Sequence, residues 1–192
     1  GKLSFNEYID AYTRSFRVVS MALRSVYSKA RVYISLDHLW NILQPHGKCY
    51  TSKSTLDAFA KRLKQEGDIN WNLAFHPYPS PLTDPNFWND NVTNSDSTKQ
   101  VTMKNLSYLT NYVSTHFRRD VRILLSEQGF SSVSYGATNE TLQAAAWAYA
   151  YYITEFNDKV DAFIMNRHVD HKQETSQGLY LGVWTNKKGN LE

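Results

Sequence analysis

The chain has a single cysteine, Cys49, so it cannot form an intramolecular disulfide bond, and no spacing of Cys and His resembles a structural zinc site. Long hydrophobic runs are also missing, since none approaches the roughly 18 apolar residues that a membrane-spanning helix needs. The amino terminus, Gly1-Lys2-Leu3-Ser4, lacks the pattern of a signal peptide. These absences predict a soluble chain with no membrane partner, and we expect neither a metal nor a cofactor.

An excess of charge of one sign is missing as well. The 21 basic and 18 acidic residues leave a formal net charge of +3, and no run of about five or more like charges is present. Nucleic acid is therefore not an expected partner, because phosphate binding needs a concentrated basic stripe. With 192 residues, of which 42% are hydrophobic, the chain can bury one sizeable core, so we expect a single domain over residues 1–192.

What the sequence does contain is an alternation of helical and strand patterns. Apolar residues at three-and-four spacing indicate helices, and short β-branched or aromatic runs that break into polar residues indicate strands. These patterns predict helices at about 4–27, 53–66, 102–117 and 139–157, strands at about 31–36, 69–75, 121–125 and 160–166, and a further short strand within 178–186. Four such alternations are typical of an α/β fold with a parallel sheet.

Polar or aromatic residues follow every predicted strand. The four strand ends read Asp37-His38-Leu39-Trp40, His76-Pro77-Tyr78, Glu127-Gln128-Gly129 and Arg167-His168-Val169. Barrel enzymes assemble their sites at such ends, whereas a doubly wound nucleotide-binding sheet would carry a glycine-rich phosphate turn, and none is present. The pattern favours a partial (β/α)8 TIM barrel of about four βα units. Such a chain is a fragment of a larger barrel, or it closes its sheet as a homodimer through the open edges.

Four stretches, RVYISLDHLWN, WNLAFHPYPSPLTDPNFWND, ILLSEQGFSS and FIMNRHVDH, together resemble the carboxy-terminal half of a bacterial domain family of unknown function. That family is similar to the clan of retaining glycoside hydrolases built on (β/α)8 barrels. The resemblance implies that the strands are the fifth to eighth of the barrel, and that Glu127, in Ser126-Glu127-Gln128-Gly129, is the catalytic nucleophile. It also implies that the acid/base glutamate lies upstream, at the end of strand four, so the fragment alone should be inactive.

Around Glu127 we place candidate substrate-binding residues. A tyrosine or histidine at the end of strand six orients the nucleophile in the resembling clan, which implies such a role for His76 and Tyr78. Each candidate also has a structural alternative: a polar rim for His76 and Tyr78, backbone capping for Asp37 and His38, and core packing for the tryptophans. Glu127 itself could simply cap a turn or pair with a nearby arginine. The candidates are Asp37, His38, Trp40, His76, Tyr78, Arg167, His168 and Trp184.

The expected function is therefore that of a retaining glycoside hydrolase-like barrel that acts on carbohydrate. The rival is a non-catalytic carbohydrate-binding or scaffold domain of a polysaccharide-handling protein. A third hypothesis is a self-contained four-stranded α/β module that binds a ligand other than carbohydrate. The residues leave localisation open; the resemblance to bacterial polysaccharide-handling proteins implies a periplasmic or secreted protein.

Overall fold

The computed structural model describes residues 3–43, 49–184, 186–187 and 190–191. Within them the helices and strands alternate as the sequence predicts. The elements are α1 (Phe5–Val26), β1 (Tyr33–Asp37), α2 (Ser52–Gln65), β2 (Asn72–His76), α3 (Leu106–His116), β3 (Ile123–Gln128), β4 (Val133–Ser134), β5 (Ala137–Thr138), α4 (Glu140–Glu155), β6 (Val160–Met165), α5 (Lys172–Thr175), β7 (Asn186–Lys187) and β8 (Asn190–Leu191). All four helix predictions and all four strand predictions are confirmed to within a few residues.

The helix ends follow from local capping chemistry. At the start of α1 the Glu7 amide donates to the Ser4 hydroxyl, and the Glu7 carboxylate accepts from the Ser4 amide at 2.8 Å. Just beyond α2 the chain turns at Gly67 with φ +89°, a conformation that glycine adopts without a steric penalty. No helix of the described residues is both long enough and apolar enough to cross a membrane.

Strands β1, β2, β3 and β6 form one parallel sheet in that spatial order. The α/β prediction is therefore confirmed. Each long connection returns to the next position in the sheet, so the order contains no reversal of the kind that marks a doubly wound sheet. The extra strand predicted within 178–186 is not formed over 178–184, apart from one bridge between Val169 and Trp184. Residue 185 lies outside the described residues, and Asn186 begins β7, which pairs with β8.

The two faces of this sheet differ in burial. One face carries the core, in which Ile34, Leu73 and Phe75 are fully buried with helix residues such as Phe59 and Leu109. On the other face Ser35 and Ala162 are exposed and Ile164 keeps 49% of its surface open, whereas Ala74 on the inner strand β2 is 7% exposed. Because burial of apolar area stabilises a fold, a sheet whose outer strands are exposed on one face has room for a further layer there.

Side chains of the two outer strands meet across the more exposed face of the sheet. Asp161 on β6 contacts the Arg31 guanidinium and accepts a hydrogen bond from Tyr33 on β1 at 3.4 Å, although β2 and β3 lie between these strands. A flat sheet would hold β1 and β6 roughly 14 Å apart, with side chains standing perpendicular to it. The contact between these side chains indicates that the two outer strands approach each other on this face.

The long segment between β2 and α3 is well ordered by polar contacts. Asn105 holds it from the helix side, accepting from the Thr102 amide at 2.8 Å and donating to the Thr93 carbonyl at 2.9 Å. Asp90, only 4% exposed, accepts from the Ser80 amide at 3.2 Å, while its second carboxylate oxygen is buried without a hydrogen-bond partner among the described residues. Burial raises the pKa of Asp90 to about 6, despite hydrogen bonds from Thr102 and Ser80.

Removing the charge of Asp90 should make the stability of the protein less sensitive to a rise in pH from 4 to 8. A carboxyl whose pKa is raised on folding contributes stability that is complete below its ordinary pKa and is lost as the pH rises through about 6. The free energy of unfolding of Asp90→Asn and of wild type is measured in urea at pH 4 and at pH 8. We expect the difference between variant and wild type to shift by about 2 kcal/mol in favour of Asp90→Asn over this range. Asp68→Asn, at an exposed carboxylate, serves as control. A constant difference between Asp90→Asn and wild type across this range would contradict the assignment.

Candidate functional site

The carboxyl ends of the parallel strands bring the predicted polar residues to one edge of the sheet. Asp37 and His76 are paired in the register of β1 and β2, and Glu127 lies near the end of β3. In parallel sheets this edge is where ligands and reacting groups are usually held.

Glu127 is at the centre of a hydrogen-bonded group. The Tyr78 hydroxyl donates to Glu127 Oε1 at 2.8 Å, and Asn166 Nδ2 donates to the same oxygen at 3.3 Å. Asn166 also donates to the Tyr78 hydroxyl at 2.7 Å, which closes a triangle of side chains. Glu127 Oε2 faces His76 Nδ1 at 3.7 Å, and 46% of the Glu127 side chain is exposed. One carboxylate oxygen is thus held by neutral donors, while the group as a whole stays open to a ligand.

Tyr78 is suited to remain a hydrogen-bond donor. It is only 8% exposed, and burial raises its pKa well above the ordinary value for a phenol. The hydrogen bond from Asn166 acts in the opposite direction, but the bond to Glu127 and the nearby charges of Glu127 and Glu174 raise the pKa further. The hydroxyl therefore keeps its proton and points it at Glu127.

Gly129 explains how Asn166 comes so close to Glu127. A side chain at Gly129 would overlap the backbone carbonyl of Asn166, so only glycine allows the segment after β6 to pack here. The Asn166 amide donates to the Gln128 carbonyl at 2.8 Å, and the Gln128 side chain donates to the Ile164 carbonyl. The glycine of the Ser126-Glu127-Gln128-Gly129 motif thus has a steric role beside the carboxylate.

Asp37 and His38 form a pair of their own at the end of β1. The Asp37 carboxylate lies against His38 Nδ1, and its pKa is lowered, since the hydrogen bond and charge of His38 outweigh the opposing effect of burial. Asp37 is consequently ionised near neutral pH. The pair neighbours the Glu127 group through His76, whose Nε2 lies 3.5 Å from Ser35 Oγ on β1.

The candidates after β6 divide into two groups. Arg167 is turned to Glu174, donating to Oε1 at 2.8 Å, and makes no ion pair with Glu127. His168 is exposed, and its ring lies 6.2 Å from that of Trp184, which is 45% exposed. His168 and Trp184 thus form an open aromatic surface next to the Asn166 segment.

Trp40 does not join this edge. Its side chain is fully buried and donates from Nε1 to the Tyr108 hydroxyl at 3.3 Å. Its ring packs edge-on against Phe75, Tyr108 and Tyr112, with the Tyr112 centroid 5.2 Å away. A side chain without exposed surface cannot contact a ligand. Trp40 therefore packs in the core, which was the structural alternative for the tryptophans.

Asn166 is the functional candidate that the sequence patterns do not single out. It is the last residue of the predicted strand 160–166, whereas the observed β6 ends at Met165. The strand-end candidates are residues that follow each predicted strand, so a strand predicted to end at residue 165 would have included Asn166. Within residues 3–43 and 49–184, no three His, Cys, Asp or Glu side chains come together in a group that could hold a metal ion.

Comparison with known proteins gives one match. A family described as "Family of unknown function (DUF5722)" matches residues 1–192. No curated protein and no solved structure matches the chain.

Proposed function

Because this chain belongs over its whole length to DUF5722, a family of unknown function, we propose a function from the geometry at Glu127. The chain is half of a barrel similar to those of retaining glycoside hydrolases, and Glu127 is its nucleophile toward a carbohydrate. The observation that carries the proposal is the placement of a partly exposed carboxylate at a strand end, with Oε1 held at 2.8 Å by Tyr78.

Three features of the sheet support the half-barrel. The four strands follow one another in chain order, the outer strands are exposed on one face, and their side chains meet at Asp161. In a closed (β/α)8 barrel the concave face becomes the packed interior, and four further βα units supply its remaining wall. Those units come from further polypeptide or from a second copy. The form with all eight strands is the intact protein.

The hydrogen bonds at Glu127 are those that a nucleophilic carboxylate requires. Retaining hydrolysis begins when a carboxylate oxygen attacks the anomeric carbon, forming a glycosyl–enzyme ester as the leaving-group oxygen takes a proton from a second carboxylic acid. Tyr78 and Asn166 fix the Glu127 carboxylate in one orientation, which lowers the cost of reaching the attack geometry. Oε2, on the side of His76, is the oxygen left free to attack.

The proton donor has to come from the other half of the barrel. Retaining enzymes hold the two carboxyl groups about 5–5.5 Å apart, and the donor must be protonated. Asp37 has a lowered pKa, and Glu174 is paired with Arg167 at 2.8 Å, so neither is suited to donate a proton. Asp90 has a raised pKa but is buried within its own loop, away from any ligand. We therefore expect the 192-residue chain to be inactive by itself.

Covalent trapping tests the proposal directly. The intact protein is incubated with a panel of 2-deoxy-2-fluoro glycosides carrying a good leaving group, which slow the breakdown of the ester more than its formation. Peptide mass spectrometry should then find one added glycosyl unit on the peptide that contains Glu127. Hydrolysis without any such adduct, or with an adduct on another carboxylate, would overturn the assignment.

Tyr78→Phe should impair catalysis without abolishing it. The change removes one hydroxyl, so Glu127 loses its 2.8 Å donor while the ring still fills its buried site. We expect kcat of the intact protein toward an aryl glycoside to fall by about 10- to 100-fold, with KM changed little, because the bond orients the nucleophile. Tyr180→Phe is a matched control for the loss of a phenol. Equal kcat for Tyr78→Phe and wild type would show that the hydroxyl has no role in positioning Glu127.

The second candidate is a carbohydrate-binding domain without turnover. It is favoured by the exposed surface of His168 and Trp184, since flat apolar sugar faces stack on such rings. Titration of oligosaccharides into Glu127→Ala separates the two. Retained binding, together with no hydrolysis by the intact wild type, supports the binding domain and contradicts the hydrolase.

A further inference from the structure

A basic cavity lies at the opposite end of the sheet from Glu127. It has a volume of about 590 Å³ and lies where α1 ends and where β1, β2 and β3 begin. Its lining includes five cationic side chains, those of Arg24, Lys29, Arg31, Arg118 and Arg122. The low net charge of the whole chain, +3, does not reveal this local concentration of cations.

Three carboxylates neutralise part of this charge. Asp120 accepts from Arg118 Nε at 3.0 Å, and Asp161 is shared between Arg31 and Arg122, whose Nε lies 2.7 Å from it. The charge of Asp68 also acts on Arg118. Five cations set against three carboxylates leave an excess of two positive charges around one cavity.

The two remaining cations have no acidic partner among the described residues. Arg24 donates to the backbone carbonyls of Asn70 at 2.7 Å and Ala30 at 3.3 Å, which hold the guanidinium in place but do not neutralise it. Lys29 is exposed and makes no ion pair or hydrogen bond with a described residue. Arg24 is thus a fixed charge and Lys29 a movable one at the same cavity.

We propose that this cavity binds a compact multivalent anion that carries two linked phosphate groups. An excess of two positive charges favours a ligand that carries more than one negative charge, and guanidinium groups fit phosphate oxygens through paired N–H donors. The volume lies within the range of about 300–1,000 Å³ that is usual for small-molecule sites. The site is separate from the Glu127 group and does not depend on the function proposed for it.

Calorimetric titration of pyrophosphate into the 192-residue chain at low salt tests this site. We expect saturable binding of one pyrophosphate per chain that weakens as NaCl is raised, because the attraction is between charges. Arg24→Gln and Lys29→Gln should each weaken binding about tenfold, the effect of losing one charge-assisted hydrogen bond. Arg14→Gln makes the same charge change on an exposed part of the same helix and should leave the affinity unchanged.

Arg24→Gln removes two hydrogen bonds and could unfold the protein. Lys29 makes no ion pair or hydrogen bond with a described residue, so Lys29→Gln should fold normally and still test the site. Orthophosphate and a nucleoside diphosphate are titrated in parallel, and tighter binding of the diphosphate than of orthophosphate supports the requirement for two linked groups. The proposal is overturned if pyrophosphate binding is not saturable, if orthophosphate binds equally well, or if Lys29→Gln and Arg14→Gln have equal effects. The lining arginines would then serve only to join the beginnings of the strands.

Discussion

Glu127→Gln is expected to lower the turnover of an activated aryl glycoside by the intact protein at least about a thousandfold. The amide keeps the shape of the side chain, and its oxygen can still accept from Tyr78 and Asn166 at the positions now 2.8 and 3.3 Å from Oε1. It cannot, however, form the glycosyl ester, because an amide is a poor nucleophile at carbon. The loss should fall on kcat, as the substrate contacts made by other residues remain.

The matched control is Glu155→Gln, which removes an exposed carboxylate at the end of α4. Its turnover should equal that of wild type, and circular dichroism should show all three proteins folded alike. Equal turnover of Glu127→Gln and wild type across the glycoside panel would remove Glu127 from the catalytic machinery. Addition of azide to a Glu127→Ala variant offers an independent readout, since a nucleophile supplied from solution should restore activity with inversion at the anomeric carbon.

Trp40→Ala should remove a large part of the stability of the domain. The side chain is fully buried, and rings from β2 and α3 enclose it on several sides. Truncating such a residue removes its transfer free energy and leaves a cavity, with a typical cost of about 3–5 kcal/mol. Since whole domains are stable by only about 5–15 kcal/mol, we expect a strongly lowered urea midpoint or a partly unfolded protein at 25 °C.

Trp184→Ala provides the comparison within the same residue type. Trp184 is 45% exposed, so its truncation should change the free energy of unfolding by less than about 1 kcal/mol. If the surface that it forms with His168 binds sugar, the same variant should lose affinity for oligosaccharides. An unchanged urea midpoint for Trp40→Ala would contradict the core role assigned to this ring.

The elements of this fold could be predicted because each has a strong local signal. Helix α1 has a capping box at Ser4 and a regular apolar stripe, and β3 begins as an apolar run that stops at Ser126. The strand pattern predicts that Tyr78 and Glu127 lie at the same edge of the sheet, since parallel strands place their carboxyl ends together. The contact between the two is implied by the family resemblance, and the Tyr78 hydroxyl lies 2.8 Å from Glu127 Oε1.

Other parts of the site depend on residues far apart in the chain. Trp40 follows β1 as a ligand-binding aromatic would, but Tyr108, which helps to bury it, is 68 residues away. Asn166 reaches Glu127 because Gly129 leaves space for the backbone of Asn166. Hydrophobic periodicity in the sequence does not predict such a contact between two loops. The short hairpin of β4 and β5 was missed for another reason: its strands are only two residues long, too short for alternation to be recognised.

The contacts of Asp161 also bear on how a half-barrel of the kind we propose would be completed. Arg31, Tyr33 and Arg122 all contact this one carboxylate, so the beginnings of β1, β3 and β6 are joined within a single chain. A complementary unit that completed the proposed barrel would therefore meet strand ends that are already held together.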